Sequence, residues 1–210
     1  MRALLKSVET RHRSATTLQA TFLEIYRDGS REARVESGTV YFSRPGRMRW
    51  EYEAPEKKLF LVDGKQVWFY VPADRSVMRT PVEESSDWHT PLSLLAGKAN
   101  FSRFCKSIEK IGEPAARGPQ APVRAAITTL RCVPRGADLG IQEALLEVDS
   151  LHFFSRILIR ETGGIETEFR FAAWQANPVL AEALFHFQAP PGVAIVEGGI
   201  PEQASRGPGR

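Results

Sequence analysis

Histidine, cysteine and paired acid–serine positions are the places where this chain of 210 residues could carry chemistry. Asp87 and His89 stand close to serines, the residue types of a hydrolase, but no G-x-S-x-G elbow accompanies them. No phosphate-binding loop or dinucleotide fingerprint is present either. The histidines have no metal-ligand spacing: His12, His89, His152 and His186. We therefore predict no catalytic residue, no metal site and no cofactor, and interpret the chain as a protein that is not an enzyme.

The two cysteines leave two interpretations open. Cys105 and Cys132 lack CxxC spacing and are too few for a four-ligand metal site. They are either buried thiols or a disulfide across neighbouring strands. A disulfide closing a loop of this length would stabilise the fold by roughly 3–4 kcal/mol in the chain-entropy model. It would also imply an oxidising compartment.

Composition excludes several classes of protein. The net charge is +3, from 28 basic and 25 acidic residues that are interleaved along the chain, so no nucleic-acid footprint is visible. The longest apolar runs are too short for a membrane-spanning helix. The apolar stretch after Met1 is also too short for a secretory signal. Because 42% of the residues are hydrophobic and 12 are Phe, the chain has enough apolar material for a sizeable core.

A strictly alternating segment gives the clearest structural prediction. Met48, Trp50 and Tyr52 alternate with charged residues, which is typical of an antiparallel strand with one wet and one apolar face. Large aromatic and thioether groups suit an apolar ligand as well as a packed core. A second alternation places Phe69 on one face of a strand and Trp68 with Tyr70 on the other. The sequence does not say which of those two faces points inward.

The rest of the chain predicts many short strands and two short helices. Asp63-Gly64 and Gly163-Gly164 are hairpin signals, and Gly38 indicates a bulge. A helix is predicted at the start of the chain and another over 90–97, where three leucines need an apolar surface. This pattern favours a barrel or a strongly curved antiparallel sheet with helices on its concave face. Strands are predicted over 18–26, 34–43, 48–53, 59–62, 66–71, 76–82, 104–111, 123–134, 143–148, 153–161, 166–175 and 185–187.

Several of these segments together resemble a known family. They are residues 38–45 (GTVYFSRP), 48–52 (MRWEY), 61–70 (LVDGKQVWFY), 91–95 (PLSLL), 169–171 (FRF), 185–187 (FHF) and 190–193 (PPGV). In order and spacing the chain resembles the periplasmic outer-membrane lipoprotein carrier proteins of the LolA type. The resemblance implies a mainly β fold, an unclosed antiparallel β-barrel (half-barrel) with a helical lid over a hydrophobic cavity. We expect a single domain over 1–197 and a flexible tail over 198–210.

The resemblance also implies a function and its partners. Family members bind the acyl chains of lipoproteins and ferry them from the inner to the outer membrane. The expected partners are acylated lipoproteins, an inner-membrane ABC lipoprotein-release transporter and an outer-membrane receptor. We expect a periplasmic monomer whose leader has been removed and which binds no nucleic acid. Alternatives are a lipid-sensing or envelope-stress regulatory module on the same half-barrel, the membrane-anchored receptor, and a lipid hydrolase.

Site residues follow from the same resemblance. The arginine of the family's Arg-Pro motif bonds the lid and helps to hold it closed, and Arg44 matches that position. An Arg44 bond to the lid would favour the closed, empty state. The expected lid residues are Arg44, Leu92, Leu94 and Leu95. The expected lipid-binding cavity residues are Met48, Trp50, Tyr52 and Phe69.

Overall fold

The structure is a computed structural model that describes residues 1–29, 31–82, 95, 101–111, 127–135 and 140–198. In those ranges the helices are α1 (Arg2–Ser14) and α2 (Phe101–Phe104), with 3-10 turns at Pro72–Asp74 and Glu182–Phe185. The strands are β1 (Thr17–Asp28), β2 (Arg34–Ser43), β3 (Arg47–Ala54), β4 (Lys58–Val62), β5 (Gln66–Val71), β6 (Ser76–Pro81), β7 (Cys105–Lys110), β8 (Thr128–Pro134), β9 (Ile141–Val148), β10 (Phe154–Glu161), β11 (Ile165–Ala176) and β12 (Ala194–Glu197).

All the described strands belong to one sheet. Its 12 strands follow the order β12-β6-β5-β4-β3-β2-β1-β11-β10-β9-β8-β7. The pairings are antiparallel except that β12 runs parallel to β6. Since β12 and β7 are the two ends of this order, the sheet does not close on itself. The predicted fold class, mainly β with an unclosed antiparallel sheet, is confirmed.

The sheet curls strongly around one face, which we call the inner face. Trp50 lies on β3 and Phe169 on β11, three strand spacings apart in the sheet order. A flat sheet would separate such positions by about 14 Å, at about 4.8 Å per spacing. The two ring centroids are nevertheless 5.5 Å apart. The side chains of this face therefore converge on one interior, as in a partly rolled barrel.

Turn and bulge residues set this geometry as the sequence predicts. Asp63 Oδ1 accepts hydrogen bonds at 2.8 Å from the backbone N–H groups of Lys65 and Gln66, which closes the β4–β5 hairpin. At Gly38 the register of β2 against β3 shifts, so the predicted bulge is confirmed. A Cβ at this position would lie only 1.8 Å from the carbonyl oxygen of Glu51. Glycine is required there because the two strands approach too closely for a side chain.

The predicted strand over 185–187 is wrong. A 3-10 turn at Glu182–Phe185 occupies this region, and the last strand is β12 instead. The reason is that the backbone here bonds within the turn, where the N–H of His186 donates to the carbonyl of Ala183 at 3.2 Å, rather than to a neighbouring strand. Phe185 is buried beneath the guanidinium of Arg47, and the ring of Phe187 stacks on Trp68 at 5.1 Å.

A disulfide fastens the β7 end of the sheet. Cys105 and Cys132 are bonded across β7 and β8, with their Cα atoms 5.5 Å apart. Of the two interpretations that the sequence leaves open, the structure therefore has the disulfide. The bond ties β7, which ends the sheet order, to its single described neighbour. It closes over a sequence separation of 27 residues, a loop long enough for a substantial entropic effect.

We expect the double substitution Cys105→Ser and Cys132→Ser to lower the free energy of unfolding by about 3–4 kcal/mol, because the unfolded chain regains loop entropy. Urea denaturation of the oxidised protein and of the variant measures this difference. Addition of a thiol reductant should move the wild-type midpoint toward that of the variant and leave the variant unchanged. Equal midpoints for the oxidised protein and the variant would contradict a stabilising role.

Candidate functional site

The four predicted cavity residues lie together on the inner face. Trp50 pairs across the sheet with Phe60, and Phe60 pairs with Phe69, so the three side chains share one face. Met48 and Tyr52 flank Trp50 on the same side of β3. All four predicted residues are buried and belong to one apolar cluster. The face that the sequence leaves undecided on β5 is thereby assigned, with Phe69 inside.

The opposite side of β5 belongs to the outer face. The ring of Phe187 lies 5.1 Å from that of Trp68 and 5.6 Å from that of Tyr70. The segment after β11 thus crosses the outside of the sheet and covers these two rings. Arg49 Nη1 fastens the segment by donating to the carbonyl of Leu184 at 2.9 Å.

A continuous row of rings runs along the inner face. Neighbouring ring centroids along this row are 4.9–6.1 Å apart. Trp174 enters the row because the register of β1 against β11 shifts between Gln19 and Thr21, opposite Ala173, whose φ is 53°. We call the row the aromatic strip; in order its members are Trp174, Phe171, Trp50, Phe22 and Tyr52.

Arg44 holds one end of the inner face. It directly follows β2, and its Nη2 donates to the carbonyl of Leu95 at 3.0 Å and to the carbonyl of His12. Its own backbone N–H donates to the carbonyl of Thr16 at 2.9 Å. Burial lowers the pKa of the Arg44 guanidinium to about 10. We call these contacts the Arg44 clamp; they connect the C-terminal end of α1 to the segment containing Leu95.

The predicted lid is represented by one described residue. Leu95 is helical and completely buried against the inner cluster, as the leucine pattern predicts for that position. Leu92 and Leu94 lie outside the described residues. The same holds for Asp87 and His89, and for residues 199–210 of the predicted tail.

His12 also lies at the end of the inner face held by Arg44, and the sequence analysis did not predict it there. It lies one turn after Val8 on α1, it is 1% exposed, and its ring is within 4.8–5.8 Å of Phe153, Phe154 and Trp174. Its Nδ1 is 3.0 Å from the carbonyl of Val8. Burial lowers the pKa of His12 to about 4, so the imidazole is neutral at pH 7. The helical spacing of Leu4, Leu5 and Val8 was the available signal, because position 12 continues that face.

A buried polar cluster closes the other end of the aromatic strip. Tyr52 Oη donates to Glu24 at 2.8 Å, and Lys58 Nζ donates to both oxygens of Glu36, at 2.5 and 2.6 Å. Glu24 and Glu36 are directly opposite each other on β1 and β2. Burial raises the pKa of Glu24 to about 7, against the opposing effect of the Tyr52 hydrogen bond. The sequence analysis did not predict this cluster either. Every second residue of β1 faces inward, so Glu24 follows Leu18, Ala20 and Phe22 on the inner face.

Ion pairs organise the outer face over β1, β10 and β11. Glu168 on β11 accepts hydrogen bonds from Arg156 and Arg170 at 2.7 Å and from Arg27 at 3.1 Å. Burial raises the pKa of Glu168, but the arginine hydrogen bonds outweigh that effect and hold the pKa at about 2. Opposite charges on neighbouring strands therefore match across the outside of the sheet and keep that face polar.

Metal and membrane signals are not found in the described part of the chain. Within residues 1–29, 31–82, 95, 101–111, 127–135 and 140–198, His, Cys, Asp and Glu form no group of three that could hold a metal ion. Over the same ranges, no helix has the length and apolar character that a bilayer crossing requires.

Comparison with known proteins identifies the family. The family of outer membrane lipoprotein carrier proteins, LolA, matches residues 13–188. The chain belongs to this family. An outer-membrane lipoprotein carrier protein of Nitrosomonas europaea is 28% identical over 195 residues, which are 91% of this chain and 88% of the relative. One of Bordetella avium is 30% identical over 162 residues, 77% of this chain and 71% of the relative. The resemblance seen in the sequence is confirmed.

A solved structure supports the fold alone. An uncharacterized conserved protein from Thermus thermophilus superposes with a TM-score of 0.59 at 16% identity, covering 94% of this chain and 98% of that one. Its likeness extends over nearly the whole length of both chains. Two sequences of low identity therefore adopt the same fold.

Glu24 gives this family member a characteristic pH dependence of stability. Its pKa is about 7 in the fold and 4.5 as the unperturbed value, so the folded protein binds the extra proton between those values. The contribution of Glu24 to stability is complete below pH 4.5 and is lost as the pH rises through about 7. His12 acts in the opposite direction, because its lowered pKa removes stability as the pH falls from 6.5 toward about 4.

We therefore expect Glu24→Gln to stabilise the protein relative to wild type by up to about 3 kcal/mol more at about pH 8 than at about pH 5. Urea unfolding of both proteins across this range measures the difference. The exposed Glu32→Gln serves as the control and should show no such trend. A Glu24→Gln effect that is the same at both ends of the range would refute the assignment.

Proposed function

We propose that this protein is a periplasmic carrier that binds the acyl chains of lipoproteins and ferries them from the inner to the outer membrane. The observation that carries the proposal is the aromatic inner face of an unclosed sheet, with a buried helical leucine held over it by the Arg44 clamp. Family membership and the names of the two relatives support the same function. In this proposal Met48, Trp50, Tyr52 and Phe69 contact acyl chains, with no covalent chemistry.

The inner face has the right character for reversible binding of acyl chains. Each buried CH₂ contributes roughly 0.8 kcal/mol, so one long chain gains on the order of 10 kcal/mol before the costs of association. Rings and a thioether accommodate flexible chains because they offer large apolar surfaces, and the hydroxyl of Tyr52 already donates to Glu24. Binding of this kind discriminates little between chains of similar length, which suits a carrier of many lipoproteins.

Delivery requires that binding be weakened, and the Arg44 clamp supplies a mechanism. Its hydrogen bonds exist in the closed arrangement, so they stabilise the empty state and subtract from the net affinity for cargo. Charge-assisted hydrogen bonds to carbonyl groups are strong enough to matter, at about 1.5–3 kcal/mol each. The segment containing Leu95 acts as the lid in this proposal.

The location and the partners follow from this function. A disulfide persists in an oxidising compartment, so the Cys105–Cys132 bond supports the periplasm. An inner-membrane ABC transporter would load the carrier, and an outer-membrane receptor would accept the lipoprotein. The protein would work as a monomer, because cargo must enter and leave one open sheet.

Neighbouring residues on β5 provide a matched test. We expect Phe69→Ala to reduce loading with a triacylated lipoprotein by about five-fold or more, because an inner ring is lost. Tyr70→Ala removes a ring from the outer face of the same strand and should leave loading unchanged. Native mass spectrometry of each protein after incubation with the lipoprotein measures the loaded fraction, and thermal melting confirms that both variants are folded. Equal loading of the two variants, or cleavage of the cargo, would count against the carrier.

Arg44→Leu tests the release mechanism. We expect a larger lipid-loaded fraction and slower transfer to an acceptor, because the closed empty state loses its clamp. Arg49→Leu is the matched control, since Arg49 also donates to a backbone carbonyl, that of Leu184, but on the outer face. Loading and transfer rates of both variants would be measured with the same lipoprotein. If Arg44→Leu behaves like Arg49→Leu, the clamp has no part in release.

A further inference from the structure

Two buried polar atoms beside the aromatic strip have no hydrogen-bond partner among the described residues. They are His12 Nε2 and Arg44 Nη1, each with almost no exposed surface. More than nine in ten buried polar groups in proteins have a partner, so each exception calls for a physical explanation. The two side chains belong to one structural unit, because Arg44 Nη2 donates to the carbonyl of His12.

The chemistry of the two atoms is complementary. The carbonyl of Val8 can only accept, so His12 Nδ1, which lies 3.0 Å from it, must carry the proton. Neutral His12 therefore presents Nε2 as a hydrogen-bond acceptor. Arg44 Nη1 offers donors only, because a guanidinium has no acceptor. A group that satisfies both atoms must combine an acceptor with an N–H or O–H donor.

His12 and Arg44 lie at one end of the aromatic strip. The polar end of an acyl chain bound along the strip would lie beside them. The His12 ring is 5.8 Å from Trp174, the first ring of the strip. From Trp174 the strip continues by ring-to-ring contacts to Tyr52, at the polar cluster of Glu24. The strip is therefore apolar along its length and polar at both ends. Movement of Leu95 away from Arg44 would free a further N–H of the guanidinium beside His12.

We propose that His12 and Arg44 form a binding site for the secondary amide of an N-acyl chain, with the carbonyl accepting from Arg44 and the N–H donating to His12 Nε2. This inference rests on the proposed carrier function and adds a recognition point for the head of the chain. A secondary amide supplies one acceptor and one donor, which point to opposite sides of one planar group. An ester supplies acceptors alone and leaves His12 Nε2 without a partner. The site thus distinguishes chains joined through an amide from chains joined through an ester.

Three matched probes test the site: N-methylhexadecanamide, N,N-dimethylhexadecanamide and methyl hexadecanoate. They share one acyl chain and one carbonyl, and only the first has an N–H. Displacement of a fluorescent fatty probe from the full chain gives the three affinities. We expect the secondary amide to bind about five-fold tighter than the tertiary amide, the value of one net hydrogen bond. The tertiary amide controls for the stronger acceptor of an amide relative to an ester.

The variant His12→Phe removes Nε2 while keeping a ring among Phe153, Phe154 and Trp174. It should bind the secondary and tertiary amides with equal affinity. Arg44→Leu should change the affinities for the two amides by the same factor, because both present an amide carbonyl to Arg44. The wild-type comparison stays decisive if a variant fails to fold.

The outcomes separate this inference from the carrier function. Equal wild-type affinities for the secondary and tertiary amides would overturn the amide site while leaving acyl-chain binding intact. A preference for the secondary amide that persists in His12→Phe would also overturn it. No binding of any probe would overturn the carrier function and the amide site together.

Discussion

A half-buried guanidinium that bonds to backbone carbonyl groups is the interaction that holds one end of the inner face. Arg44 stands where β2 turns toward β3, and its contacts reach α1 and the segment of Leu95 at once. Removal of a guanidinium from water is costly, so such an arrangement persists only if the carbonyls stay in place. The carbonyl of His12 lies near the C-terminal end of α1, where the helix dipole favours a positive charge. The clamp therefore depends on elements that are themselves attached to the sheet.

The two faces of the sheet differ in the interactions that stabilise them. Opposite charges pair across β1, β10 and β11 on the outer face, where Glu168 accepts from three arginines, which keeps this part of the face polar. Rings converge inside because the sheet curls. The segment after β11 covers Trp68 and Tyr70, so the large aromatic residues of β5 are covered on both sides without joining one core. The inner rings form the apolar cluster that also contains Leu95.

Sequence periodicity predicted most of the strands and the inner placement of Met48, Trp50 and Tyr52, because charged neighbours mark the wet face there. It could not assign Phe69 against Trp68, since both faces of β5 are aromatic and the covering segment lies far along the chain. Trp174 escaped the pattern because a bulge at Ala173 changes the parity of β11. Glu24 and His12 were missed for a different reason. A polar residue at an inward position interrupts the apolar periodicity, and the sequence alone does not show the partners that allow it to be buried.

Those two inward polar positions give the inner face a direction. An apolar strip without polar ends would hold an acyl chain equally well in either orientation, because the hydrophobic effect is not directional. At one end, the Arg44 clamp and His12 present hydrogen-bonding groups. At the other, Glu24 is protonated or charged depending on pH and is already bonded to Tyr52. Groups that bury polar atoms at such a cost contribute specificity more than stability. Under the proposed carrier function, that specificity would place the head of the chain beside Arg44 and Leu95.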